Sequence, residues 1–206
     1  MTKFIAATAL MVCLSATTAL AQGKPAPADE AIVQKYYDST FGKAAPDWQA
    51  RMKQDETIAT CNKFRNDVPA AEAAVIQTRE RDRVIFPADG KLLGNWKEGF
   101  KVANNGQGGQ FSDAPGTVAG GNCYACHQMD PAEVSYGTLG PSLKAYGKDR
   151  KFDAAEAKAA WIKIYDSQAV VACSNMPRFG ASKVLTEQQI KDVLAYLFDP
   201  ESPVNK

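Results

Sequence analysis

Cys123, Cys126 and His127 fall in one five-residue run, Cys123-Tyr124-Ala125-Cys126-His127, in a chain of 206 residues with five cysteines and a single histidine. C-x-x-C-H is the spacing of covalent c-type haem attachment. Two thiols add across the two haem vinyl groups, and the two-residue spacer sets the distance between the attachment points. The adjacent histidine is then placed beneath the iron as proximal ligand. Three other uses of these residues stand beside this one. A zinc site of Cys123, Cys126, Cys173 and His127 has the right ligand types, but an exported thiol-rich site is at risk of oxidation. A thioredoxin-like redox pair needs a βαβ context that the sequence lacks. A disulfide inside the motif leaves His127 without a role. One covalently bound haem c is the expected cofactor.

The second axial ligand follows by elimination. His127 is the only histidine, so the chain cannot supply two imidazoles, and methionine is the usual alternative in cytochromes c. Met129 is too close to His127 to reach the opposite haem face. Met52 reads as a core residue of an N-terminal helix. Met176 lies in the Pro/Gly-punctuated run Ser174-Asn175-Met176-Pro177-Arg178-Phe179-Gly180, far enough along the chain to wrap round a haem, and is the expected ligand. Filling a core gap is the competing use of Met176. Gly140-Pro141-Ser142-Leu143 is placed to offer a backbone carbonyl to the Nδ1–H of His127, with a plain turn as the other reading. Arg178 reads as an exposed loop arginine, with a haem propionate as its alternative partner. Cys61 and Cys173 are expected to form a disulfide, since an even pair in an oxidising compartment usually does. A free buried thiol at either position, or Cys173 on the iron, are the alternatives.

The elements that must position these residues read as helices. Residues 31–82 are mostly helical in pattern: Ile32, Val33, Tyr36 and Tyr37 recur at helix spacing, and Ala70 to Arg81 follows Pro69 at a plausible start. Pro87 to Gly90 is a break. A helix over 91–103 is expected, with Leu93, Trp96, Phe100 and Ala103 on one face and Gly94 or Gly99 permitting close approach to another helix near Tyr196. A Gly-rich connector, 104–121, follows as a long loop. The last helix has the clearest punctuation: Thr186 with Gln189 makes a capping box, Ile190, Val193, Leu194 and Leu197 form the stripe, and Pro200 stops the run. No alternating strand pattern and no internal repeat are present. The fold class is all-α.

The first residues read as an export signal, residues 1–21. Lys3 supplies the positive n-region, Phe4 to Leu14 the apolar stretch, and Ala19-Leu20-Ala21 the cleavage pattern. The stretch is too short to span a bilayer. Cys13 falls within it and leaves with it. Lys3 is the only charged residue there, so the remainder carries equal numbers of basic and acidic residues. A neutral chain has no electrostatic reason to seek nucleic acid or anionic lipid. No later segment approaches a membrane span, and the expected location is the periplasm. The expected organisation is signal 1–21, leader and helical N-terminal extension 22–90, and haem domain 91–206.

The second half resembles a class I cytochrome c: a helix, C-x-x-C-H, Gly-Pro-x-Leu, a Met loop and a capped terminal helix. More closely, it resembles the SoxX family, the monohaem subunit of the SoxAX complex. The resemblance rests on Gly121 to Met129, Gly137 to Leu143, the loop Met176-Pro177-Arg178-Phe179-Gly180, and the ending Ser202-Pro203-Val204-Asn205-Lys206. It covers roughly residues 90–206. It implies an electron-transfer subunit, paired as a heterodimer with a SoxA-like cytochrome that conjugates thiosulfate to a cysteine of a SoxY-like carrier, and passing electrons to a soluble acceptor cytochrome. With His127 and Met176 both bound, the iron has no open position, and no catalytic constellation appears elsewhere. The chain is then the non-catalytic partner in a thiosulfate-conjugating enzyme. The alternatives are a free-standing electron shuttle, a haem protein with an open sixth site, and a zinc module.

Overall fold

The computed structural model describes residues 29–110 and 112–206, with Asp47 described only in its backbone. The expected signal segment 1–21 and nearly all of the leader lie outside these residues. Two compact units divide between Lys53 and Gln54. The first holds α1 (Glu30–Phe41), started by the Asp29 side chain accepting from Ala31 N–H, and α2 (Pro46–Met52). Met52, expected in a helix core, is 40% exposed at the end of α2.

The second unit contains α3 (Glu56–Phe64), α4 (Ala70–Asp82), α5 (Trp96–Asn104), α6 (Tyr146–Asp149), α7 (Ala154–Tyr165) and α8 (Glu187–Phe198). No strand occurs among the described residues, so the fold is all-α. The expected boundary near residue 90 is not where the contacts divide: α3 and α4 share one unit with α5–α8. Pro69 does precede α4 as its cap. The helix expected over 91–103 begins only at Trp96, because Asn95 takes the cap and accepts from Lys97 N–H. Leu93 consequently lies outside it and is 46% exposed.

α5 and α8 form the central crossing. A Cβ at Gly99 would overlap the Asp192 backbone and stand 2.9 Å from Tyr196 Cβ, so the two helix backbones touch where only glycine fits. α8 carries the expected capping box, Thr186 with Gln189, and its buried face runs through Ile190, Val193, Leu194 and Leu197. Trp161 and Ile164 of α7, Met129, Phe179 and Val204 close the same core. Burying side chains of this size contributes roughly 1.5–3 kcal/mol each. Asn205 ties the C-terminal tail in place: its Oδ1 accepts from Gly147 and Lys148 N–H, and its Nδ2 donates to Leu197 and Asp199 carbonyls. The expected connector starts one residue later than 104, since Asn104 closes α5, and its ends are bound, Gly121 N–H to Val102 O and Asn122 N–H to Asn105 O.

Candidate haem site

The motif sits on a short 3-10 turn, Cys123–Ala125, entered through Asn122 in the left-handed region. Cys126 and His127 N–H both donate to Cys123 O, at 3.1 and 2.9 Å, which curls the two thiols and the imidazole into one compact turn. The loop over 137–143 folds back on it. Gly137 N–H donates to Tyr124 O, Gly140 N–H to Cys126 O and Leu143 N–H to Gln128 O, each within 2.8 Å. This places Pro141 O 2.7 Å from His127 Nδ1. The carbonyl is acceptor only, so Nδ1 carries the proton and the Nε2 lone pair is left for a metal. Gly140 lies flat against the ring: a Cβ there would overlap Cε1 and stand 2.6 Å from Nδ1 and 2.7 Å from Nε2.

The two motif cysteines are unbridged, whereas Cys61 and Cys173 are joined in a disulfide. That bridge withdraws Cys173 from both the zinc reading and the iron. Burial pushes the Cys123 thiol up to about 12, so its sulfur is neutral. Two unbridged thiols on one turn beside an imidazole whose Nδ1 is occupied are the donor set that a covalently held haem requires, and in this the residues fit it. Cys123 and Met176 pack against the same core, Met176 half-buried in its loop. The Met176 carbonyl accepts from Ser167 Oγ at 2.5 Å, and its N–H donates to Ser174 Oγ at 3.2 Å.

Behind the motif, Tyr124 and Tyr196 join hydroxyls at 2.8 Å, and Tyr124 also accepts from Asp130 N–H. Burial, then the contact with Tyr124, pushes Tyr196 well above the ordinary phenol range. The pair holds the motif to α8 through neutral hydrogen bonds.

Arg178 is not the exposed arginine that its loop position suggests. Its side chain is 16% exposed, with Nη2 2.6 Å from Asp55 Oδ2 and Nη1 3.5 Å from Glu80 Oε2. Glu80 is wholly buried and also receives Thr57 Oγ1 and the guanidinium groups of Arg79 and Arg83. Burial alone would raise the Glu80 carboxyl. The hydrogen bonds from Thr57 and Asp166 and the charges of Arg83 and Arg178 outweigh it and hold Glu80 below the ordinary range. Asp166, also wholly buried, goes the other way: burial, then its hydrogen bond with Glu80, pushes it up to about 6. Sequence reading missed this network because its members are spread over α3, α4 and the Met loop.

The sequence profile of the cytochrome c family matches residues 97–199, half of the chain. An uncharacterized lipoprotein of Aquifex aeolicus (strain VF5) is 39% identical over 126 residues, which cover 60% of this chain and 58% of the relative. The match thus spans little more than half the length of that protein. With its helical fold and its C-x-x-C-H turn, the chain belongs to the cytochrome c family, the haem c proteins that transfer electrons.

Proposed function

We propose that Cys123 and Cys126 hold one haem c covalently, that His127 and Met176 are its axial ligands, and that the chain is the electron-transfer subunit of a SoxAX-like complex in the periplasm. The observation that carries the His127 assignment is the 2.7 Å contact from Nδ1 to Pro141 O, which occupies Nδ1 and leaves Nε2 as the ring nitrogen for the iron. When bound, haem supplies reversible one-electron chemistry. The protein's part is to keep the ligands still. Pro141 O fixes the histidine tautomer and makes the imidazole a stronger donor. Ser167 and Ser174 fix the backbone on either side of Met176. Ligand geometry that hardly changes between oxidation states keeps the reorganisation accompanying electron transfer small.

The SoxX-like segments support the SoxAX role, with a SoxA-like subunit as fixed partner, a SoxY-like carrier as the indirect one, and a soluble cytochrome as acceptor. A disulfide at Cys61–Cys173 favours an oxidising compartment, and a relative named as a lipoprotein fits an extracytoplasmic location. Among the described residues no helix is long and apolar enough to cross a membrane.

The test is purification of the tagged protein from its native periplasm, with mass spectrometry of co-eluting chains and a haem count per polypeptide. A stoichiometric second c-type cytochrome, together with thiosulfate-dependent haem reduction that requires a SoxY-like carrier, is the expected result. A lone monohaem protein reduced without such a carrier assigns the chain as a free electron shuttle instead.

A further inference from the structure

Met176 is fastened on both sides to one pair of helices. Three residues before it, Cys173 is bridged to Cys61 of α3. Two residues after it, Arg178 pairs with Asp55, the cap of α3, and with Glu80 of α4. The strand of chain leading into the loop is held by the same helix: Gln77 Nε2 donates to Val170 O at 2.8 Å and Arg81 Nη2 to Ala169 O at 3.1 Å. Ser167, in that held segment, donates to the Met176 carbonyl itself. The Ser167 contact lies within the segment 167–178; the other ties all join that segment to α3–α4 or its cap Asp55.

We infer that the α3–α4 hairpin is a clamp on the Met176 loop, and that Asp55, Glu80 and the Cys61–Cys173 bridge are positioning residues that keep the thioether from being displaced. The inference rests on Met176 being the axial ligand. Displacement of a loop-borne ligand by an added one requires the loop to open first. The apparent affinity for the added ligand is its intrinsic affinity scaled by the open fraction. A fastening present only in the closed loop lowers that fraction. Glu80, paired also with Arg79 and Arg83, offers Arg178 a buried partner at a fixed place, and a buried ion pair of this kind is poor at adding net stability. With the loop closed Arg178 meets Asp55 and Glu80 together, contacts that opening the loop would have to give up.

The experiment is azide titration of the oxidised holoprotein, following loss of the methionine–iron charge-transfer absorption. Asp55→Asn keeps an oxygen to cap α3 and removes the charge facing Arg178; it is expected to raise azide affinity about threefold to tenfold. Cys61→Ala with Cys173→Ala is expected to raise it about tenfold or more. Val204→Ala, at a buried site in the C-terminal tail, lowers the denaturation midpoint without touching the clamp and leaves azide affinity within about twofold. Met176→Ala is measured alongside. Should it retain the charge-transfer absorption, the ligand assignment falls and the clamp with it. Should it lose the absorption while Asp55→Asn and the double cysteine variant stay within about twofold of the parent, the ligand stands and the clamp is overturned. If the double variant does not fold, Asp55→Asn decides alone.

Discussion

Gly140→Ala tests the proximal side of the site. The alanine Cβ would overlap Cε1 of His127 and lie 2.6 Å from Nδ1 and 2.7 Å from Nε2, where ordinary van der Waals contact begins at 3.4 Å. Ring and backbone must therefore part by about 0.8 Å or more, beyond the ~0.5 Å within which a constellation of this kind keeps its function. Neither side yields easily. The imidazole is held by Pro141 O, and Gly140 itself is held by its N–H bond to Cys126 O at 2.8 Å. Overpacking of this type costs about 1–3 kcal/mol, and here the displaced group is the expected iron ligand. The assay compares the variant with its parent by haem staining on a denaturing gel, visible spectrum and guanidinium unfolding. Expected are lower holoprotein yield, a shifted spectrum and a lowered midpoint. Gly106→Ala is the control, since the nearest atoms to its Cβ would be those of the Asn122 side chain at ordinary contact, 3.4 Å or more; it should stay within about 0.5 kcal/mol. A Gly140→Ala holoprotein matching its parent in spectrum and midpoint would show that the loop does not brace the histidine.

Two further outcomes follow from the packing and the buried carboxyls. Gly99→Ala sets a Cβ 2.5 Å from the Asp192 carbonyl carbon and 2.9 Å from Tyr196 Cβ. It should lower stability by about 1–3 kcal/mol in guanidinium, and an unchanged midpoint would mean that the α5–α8 crossing is looser than described. Asp166 is raised from 3.8 to about 6, so the folded state holds its proton more tightly than the unfolded chain does. Its contribution is fully present below the unfolded value and is lost as pH rises through about 6. At 1.36 kcal/mol per pH unit, that window limits the loss to about 3 kcal/mol. Asp55 and Glu80 are lowered and lose their contribution only at the acid end, as pH falls toward their folded values. Unfolding of the holoprotein should therefore become easier from about pH 4 to 6.5, and Asp166→Asn should flatten that slope. An equal slope in the variant would place the proton elsewhere.

The parts of the fold that were legible in advance are those written in short stretches of chain. The capping box of α8 needs only Thr186 and Gln189, and the Pro141 carbonyl is carried toward His127 by a loop that follows the motif directly. The Gly99 approach to Tyr196 could also be anticipated, since a glycine on an apolar helix face announces a close neighbour. α7 received no element from the sequence although Asp153 caps it, accepting from Ala155 and Glu156 N–H. Half of its inner face is alanine, Ala157 and Ala160 beside Trp161 and Ile164, which gives little contrast with the alanines on its outer face.

Arg178 shows where sequence reading runs out. Beside Pro177 and Gly180 it has every local mark of a solvent-exposed loop residue, and nothing within the loop contradicts that. What buries it is Asp55, 123 positions away, and Glu80 on the following helix. The same separation explains why α3 and α4 looked like an appendage to the haem domain. Their own surfaces are polar enough to stand alone: α4 buries only Ile76 and Glu80. A helix whose buried residues include a carboxylate is not there chiefly to add apolar core. It presents a charge at a fixed place, and one of the three arginines that answer it, Arg178 beside Arg79 and Arg83, sits two positions from the expected iron ligand. Of the expected extension, α3 and α4 are thus joined to the Met176 loop, through a charge that hydrophobic patterning cannot reveal.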